Sequence, residues 1–197
     1  QQTKPSLETV WLAPNVTRIL LYTRRDAAAA QWLPVLTSPT DAATLNALQV
    51  QLALVRPSVE NTARLPAALA WLGQNALKPG GSKDWLMDRA TREIPLLAAL
   101  GYTIPPDAQW AVSANTAGAV PAGVSAEALT AITRSAMERK QGETVLNALV
   151  ALGPGGPARA QGQTVVRVVK ALIDVGLRDD ARAIAVETVL ASPVRRK

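Results

Sequence analysis

The side chains able to do chemistry are few. The 197-residue chain contains no histidine and no cysteine. It therefore lacks the commonest general base, the triads built on it, thiolate nucleophiles and the soft ligands of structural zinc sites. Carboxylates remain. Asp84 and Asp88 stand one helical turn apart, a spacing that could present both to a hard cation. Two carboxylates are too few for Ca²⁺, and Mg²⁺ would need oxygens from a substrate; a solvated helix face near an N-terminus accounts for the pair equally well. With Glu93 they are the residues a carboxylate-based enzyme would use. Asp179 and Asp180 are adjacent, so they point apart, and their place at a helix N-terminus explains both. Gly153-Pro154-Gly155-Gly156 has the glycine content of a phosphate-binding loop. No strand precedes it, no Lys-Ser or Lys-Thr follows, and Pro154 and Pro157 remove amide donors. Asn15-Val16-Thr17 matches the glycosylation triplet by pattern alone. The reading is of a non-enzymatic chain with no cofactor and no metal.

Composition sets what must position these groups. Hydrophobic residues make up 48% and charged residues 18%, enough apolar surface for a folded core. Alanine is abundant, aromatics are 4%, and β-branched runs are rare outside Val165–Val169, so helix is the expected element. The net charge of +6 is concentrated partly in Arg195, Arg196 and Lys197 at the end of the sequence. Acids and bases alternate elsewhere, without the basic stripe of a nucleic-acid binder. No stretch has the length and apolarity of a transmembrane helix; the longest uncharged one, Ala108 to Ala126, is interrupted by Ser, Asn, Thr, Gly and Pro. The first residue is Gln1 and not Met. A removed export signal would make the chain periplasmic or otherwise exported; a boundary inside a longer sequence leaves the cytoplasm open.

Along the chain, residues up to Pro14 read as extended, and Val16–Thr23 as a short helix or strand. Asp26 should cap a helix running to Leu36, with a kink or early end at Pro34. Asp41 should cap the next, whose Leu45, Leu48, Leu52 and Val55 form one apolar stripe ended by Pro57. A helical stretch from Ser58 to Leu77 should break at Pro66, its second part turning Leu65, Leu69 and Leu72 inward. Ser82 should begin a long helix with Leu86, Ala90, Ile94 and Leu97 on one face, a bend at Pro95 and a stop at Gly101. Thr103–Val124 reads as a long irregular loop holding one short helix, Pro106 to Ser113.

From Ser125 the pattern is regular. One helix carries Leu129, Ile132 and Ala136 inward. Gly142 turns it into a second with Val145, Leu146 and Leu149, ended by Gly153. The last pair, Thr164–Val175 and Asp179–Ala191, turns at Gly176, a position that suits the left-handed C-terminal residue of a helix. Ala181, Ile184, Ala185 and Thr188 form a small-residue stripe allowing close helix approach. The two pairs recur at an offset of about 36 residues, within the range of helical repeats. Tyr22–Pro39 shares further positions with the final helix: Arg24, Asp26, Ala27, Ser38 and Pro39 line up with Arg178, Asp180, Ala181, Ser192 and Pro193. The expected fold is all-α, stacked antiparallel hairpins in an α-solenoid-like arrangement. Its expected parts are an aromatic half, residues 1–102, a junction, 103–124, and two aromatic-free hairpins, 125–197.

Leu172–Pro193 resembles the second half of a tetratricopeptide repeat, with Gly176 at the turn, Ala181 early in the second helix and Pro193 at its end. Ala185 stands where that family has a large aromatic residue, and its Trp and Leu-Gly-Tyr signature is missing from Thr164–Val175. The resemblance implies stacked helical hairpins and a protein-binding role.

The function expected is therefore a scaffold or subunit joining other proteins in a larger, extracytoplasmic assembly, with a homo-oligomer among the options. Trp110, Pro105, Pro106 and Val120 in the junction are the candidate contacts. The alternative is a binder of anionic polymer or membrane surface through Arg195, Arg196 and Lys197. The first predicts apolar, salt-tolerant contacts; the second predicts steep loss of affinity with salt.

Overall fold

A computed structural model describes residues 12–23, 25–32, 42–55, 57, 59–77, 84–116 and 126–191. Twelve helices and no strand occur among them, so the chain is all-α. The N-terminal part contains α1 (Ala13–Tyr22), α2 (Asp26–Ala30), α3 (Ala42–Val55), α4 (Val59–Ala63), α5 (Leu65–Ala76), α6 (Asp84–Ala99) and α7 (Pro106–Thr116). The C-terminal part contains α8 (Ala126–Met137), α9 (Gln141–Leu152), the single turn α10 (Gly156–Arg159), α11 (Gly162–Asp174) and α12 (Arg178–Ala191).

Helix α3 lies at the centre of the N-terminal part, against α1, α2, α4, α5 and α12. The stripe expected for it is too narrow. Leu48 and Leu52 are buried, and so are Val50, Gln51, Ala53 and Leu54, while Leu45 and Val55 are only half-buried. A helix apolar on nearly every side must be surrounded, which a single-stripe reading cannot express. Helices α5 and α6 follow expectation: Leu65, Leu69, Leu72, Leu86, Ala90, Ile94 and Leu97 are all buried. The break before α5 falls at Arg64, which puts Pro66 in the first turn, where its missing N–H costs nothing. Pro95 stands inside α6.

Two starts differ from expectation. The first helix begins at Ala13, inside the stretch read as extended, with Pro14 in its first turn. Arg25, not Asp26, precedes α2, and no side chain caps it. Helix α2 ends at Ala30, with Gln31 and Trp32 in a turn, well short of the expected Leu36. Residues 33–39 of the Tyr22–Pro39 segment and the caps Asp41 and Ser82 lie outside the described residues.

The described part of the junction, up to Thr116, is mostly helix. Helix α7 runs to Thr116, three residues beyond the short helix expected there, and packs on α5 and α6. It docks through small residues. Ala108 and Ala111 are fully buried, and a Cβ built on Gly73 of α5 would lie 2.4 Å from the Asp107 carbonyl oxygen and 2.9 Å from the Ala108 Cα. The Gln74 amide donates to Asp107 across the same seam at 2.8 Å. Residues 117–125 lie outside the described residues.

The C-terminal part forms the two expected hairpins, α8–α9 and α11–α12. Helix α11 touches α6, α7, α8 and α9 as well as its partner α12, and α12 touches α1, α3, α6 and α10. The second hairpin thus sits between the first and the N-terminal helices, and one hydrophobic core runs through both parts. Ala181, Ala185 and Thr188 are fully buried and Ile184 is half-buried, so the small-residue stripe is the face along which α12 packs. Gly176, at φ 89°, ends α11 in the left-handed conformation, and the Leu177 N–H reaches back to the Leu172 carbonyl at 2.8 Å.

Candidate interaction surface

Helix α9 is built with four of its five large apolar residues outward, Leu152 being the one that is buried. Its inner face, against α8 and α11, presents Thr144, Asn147, Ala148, Ala151 and Leu152. Thr144 is fully buried; its hydroxyl donates to the Lys140 carbonyl at 2.8 Å and lies 3.2 Å from the Ser135 hydroxyl of α8. The Asn147 amide donates to the same Ser135 oxygen at 3.2 Å, and Ala148 and Ala151 fill the remaining space. The α8–α9 seam is therefore small and polar. The outer face carries Leu146, Leu149 and Val150, exposed by 65%, 62% and 69%, with Val145 beside them at 37%. A helix that hides threonine and alanine while showing leucine and valine inverts the usual arrangement.

These four side chains offer water roughly 400 Å² of contiguous apolar surface, within the size range where monomer patches are commonly functional. Of the other exposed large apolar residues, Met137 ends the neighbouring helix α8, whereas Ile19 lies on α1 and Leu77 just beyond α5. The sequence reading placed Val145, Leu146 and Leu149 on this helix but not on its outer face. Their 1,3 spacing is the same whichever side the neighbours occupy. The turn before them also differs from expectation. Arg139, not Gly142, adopts the left-handed conformation, at φ 55°, and the Lys140 N–H bonds the Ser135 carbonyl at 3.0 Å to close α8. Gly142 sits in the first turn of α9 with open space where a Cβ would be.

Charge borders this face at the hairpin turn. Lys140 contacts Glu138 at 2.6 Å and Glu143 at 3.6 Å; Glu138 is held below the usual carboxylate range by its hydrogen bond to Lys140, and Lys140 is raised by the same bond. Two shallow clefts flank the turn. One, about 410 Å³, lies between α8 and α11, with Leu129, Met137, Arg134 and Arg167 in its walls. The other, about 500 Å³, joins the two hairpin turns, where the Gln141 amide donates to the Val175 carbonyl at 2.8 Å between Arg139 and Arg178.

The residues singled out in the sequence are scattered. Trp110 is half-buried on α7 against the core, its indole N–H enclosed without an acceptor; Pro105 is half-buried, and Pro106 is exposed at the start of α7. Val120, Arg195, Arg196 and Lys197 lie outside the described residues. Asp88 is exposed and contacts Arg92 at 3.5 Å, and the Asp84 side chain is not among those described. Glu93 is fully buried, 2.5 Å from Arg89, itself 2% exposed. Burial drives the Glu93 carboxyl upward, and Arg89 opposes it. Arg18 of α1 approaches the same pair, is lowered chiefly by burial and then by Arg89, and donates to the Leu190 carbonyl at 2.6 Å. Gln51 of α3 donates to the neighbouring Val189 carbonyl at 3.4 Å. These groups tie α1, α3, α6 and α12 together across the core. Thr17, the third residue of the glycosylation triplet, is buried within α1, unlike an acceptor site on a surface loop. Among the described residues no three acidic side chains converge as metal ligands, and no helix is long and apolar enough to cross a membrane.

Comparison of the chain with protein-family models, with curated proteins and with solved structures finds no match.

Proposed function

We propose that the chain is a non-catalytic helical scaffold or subunit that joins other protein surfaces through the outer face of α9. The observation that carries this reading is the inversion of α9. Thr144 and Ala148 are buried while Leu146, Leu149 and Val150 are exposed. Exposing three large aliphatic side chains forfeits roughly 1.5–3 kcal/mol each relative to burying them. Covering them with another protein recovers much of that. The hairpin form supports the reading too, because it offers a rigid helix as the contact element and needs no ordering on binding. Trp110, the junction's natural anchor, packs against the core instead and is a lesser contact.

The test is crosslinking and affinity capture from the native source, performed in parallel with the wild-type chain and with Leu146→Asp. Partners crosslinked to α9 and lost with the variant support the reading. Partners retained in full by the variant, or crosslinked only elsewhere, refute it.

A further inference from the structure

The outer face of α9 reads the same in both directions. About the midpoint between Asn147 and Ala148, Leu146 is matched by Leu149, Val145 by Val150 and Gly142 by Gly153. Each of the four large apolar residues of the face thus has its own kind at the mirrored place, and both ends are glycine. Neither Gly142 nor Gly153 has an atom within 4 Å of where a Cβ would stand, so each end of the stripe is open to close backbone approach.

From this symmetry we infer that the occupant of the α9 face is a second copy of this chain, paired antiparallel about a two-fold axis through the middle of α9. The inference rests on the interaction reading above and names its partner. In a two-fold interface the same patch meets itself, and each contact occurs twice. Antiparallel pairing about that midpoint sets Leu146 on Leu149 of the other copy and Val145 on Val150. Leucine layers then fill the centre and valines flank them, with no charge in the seam. Glu143, the one charged residue on this helix, stands in the first turn at the border, where it keeps its water. The glycines let the helix ends come together without obstruction. Antiparallel helices also oppose their dipoles, which a parallel pair does not.

The area fixes the strength. Two stripes of roughly 400 Å² bury about 800 Å² in total, below the roughly 1,000 Å² of a stable specific interface and in the range of weak, transient contacts. The dimer is accordingly weak and reversible, seen across the micromolar range and not as a permanent pair.

Sedimentation velocity of the whole chain over that range tests it, with circular dichroism melts to check folding. The wild type should move from monomer toward dimer as concentration rises, insensitive to salt. Leu146→Asp and Leu149→Asp should each weaken association at least about tenfold, because one substitution alters the seam twice, with unchanged melting since both side chains are exposed. The orientation has its own test, open because the chain is free of cysteine. A mixture of Leu146→Cys and Leu149→Cys should form the mixed disulfide faster than either forms its own. Faster homodisulfides mean a parallel or shifted pair and overturn the geometry. A wild type monomeric at every concentration overturns self-association. If such a monomer still captures another protein in a Leu146-dependent way, the interaction reading survives without it; if it captures none, both fall.

Discussion

Arg182 of α12 donates a hydrogen bond to the Tyr102 hydroxyl at 2.7 Å, across eighty residues of sequence. The same hydroxyl lies 3.4 Å from the Ala53 carbonyl near the end of α3, to which it donates. One phenol therefore links the last helix, the end of α6 and the central helix. It is the polar counterpart of the shared hydrophobic core, and it holds the second hairpin in place beneath α9. Tyr102→Phe removes both bonds while keeping the ring. It should cost about 1–3 kcal/mol in urea denaturation, since one bond is to a charged donor. Combined with Arg182→Ala, the double variant should lose less than the sum of the singles. Strict additivity would mean that the pair does not couple the two parts.

The Arg89–Glu93 pair gives the second prediction. Removing one partner leaves the other buried and uncompensated, so Arg89→Met should cost about 3–5 kcal/mol. The double variant Arg89→Met/Glu93→Leu should cost much less than the two singles together. The pH dependence has a defined sign. Burial holds the folded Glu93 carboxyl above its unfolded value, so the folded state binds this proton more tightly. Stability is then greatest below the ordinary carboxylate range and falls as pH rises from there through the folded value. Arg89 and Arg92 lessen the shift, and Asp88 adds to it. Glu93→Gln should flatten this part of the stability–pH curve; an unchanged slope would show that other groups carry it.

Glycines give a paired prediction. Gly73→Ala places a methyl group against backbone of α7, at 2.4 Å from the Asp107 oxygen, and should lower stability by about 1–3 kcal/mol as α5 and α7 are forced apart. Gly142→Ala meets nothing within 4 Å and should raise stability by up to about 1 kcal/mol through helix propensity. Thermal melts of the two variants should shift in opposite directions.

The α8–α9 turn provides the last. Arg139 holds a left-handed conformation, φ 55°, that costs an L-residue with a side chain roughly 1–2 kcal/mol. Arg139→Gly relieves it, and after the entropy that glycine adds to the unfolded chain the net gain should be about 0.5–1 kcal/mol. A loss on chemical denaturation would show that the Arg139 side chain contributes more at the turn than its backbone strain takes away.

What the sequence by itself determined is whatever depends on neighbours a few residues apart. Alanine-rich composition and the absence of strand patterning specified an all-α chain. Gly101 and Gly176, both at positive φ, end their helices where a left-handed residue after an apolar run requires it. Leu86, Ala90, Ile94 and Leu97 fall on one face of α6 because the helical period places them there. Ala181, Ala185 and Thr188 fall on one buried face of α12 by the same helical period. Tertiary structure decided the rest. Helix α3 is apolar around most of its circumference, so its periodicity could not say that it is central. Helix α7 docks through Ala108 and Ala111 onto Gly73, and small residues give no hydrophobic stripe to read. Arg89 and Glu93 have the spacing of an ordinary surface pair, and only the surrounding helices bury them. On α9 both faces are apolar enough to be inner. The polar seam of Ser135, Thr144 and Asn147 is assembled from two helices, and its formation turned Leu146, Leu149 and Val150 toward water. A helix's period fixes which residues share a face, but its neighbours decide which face is covered.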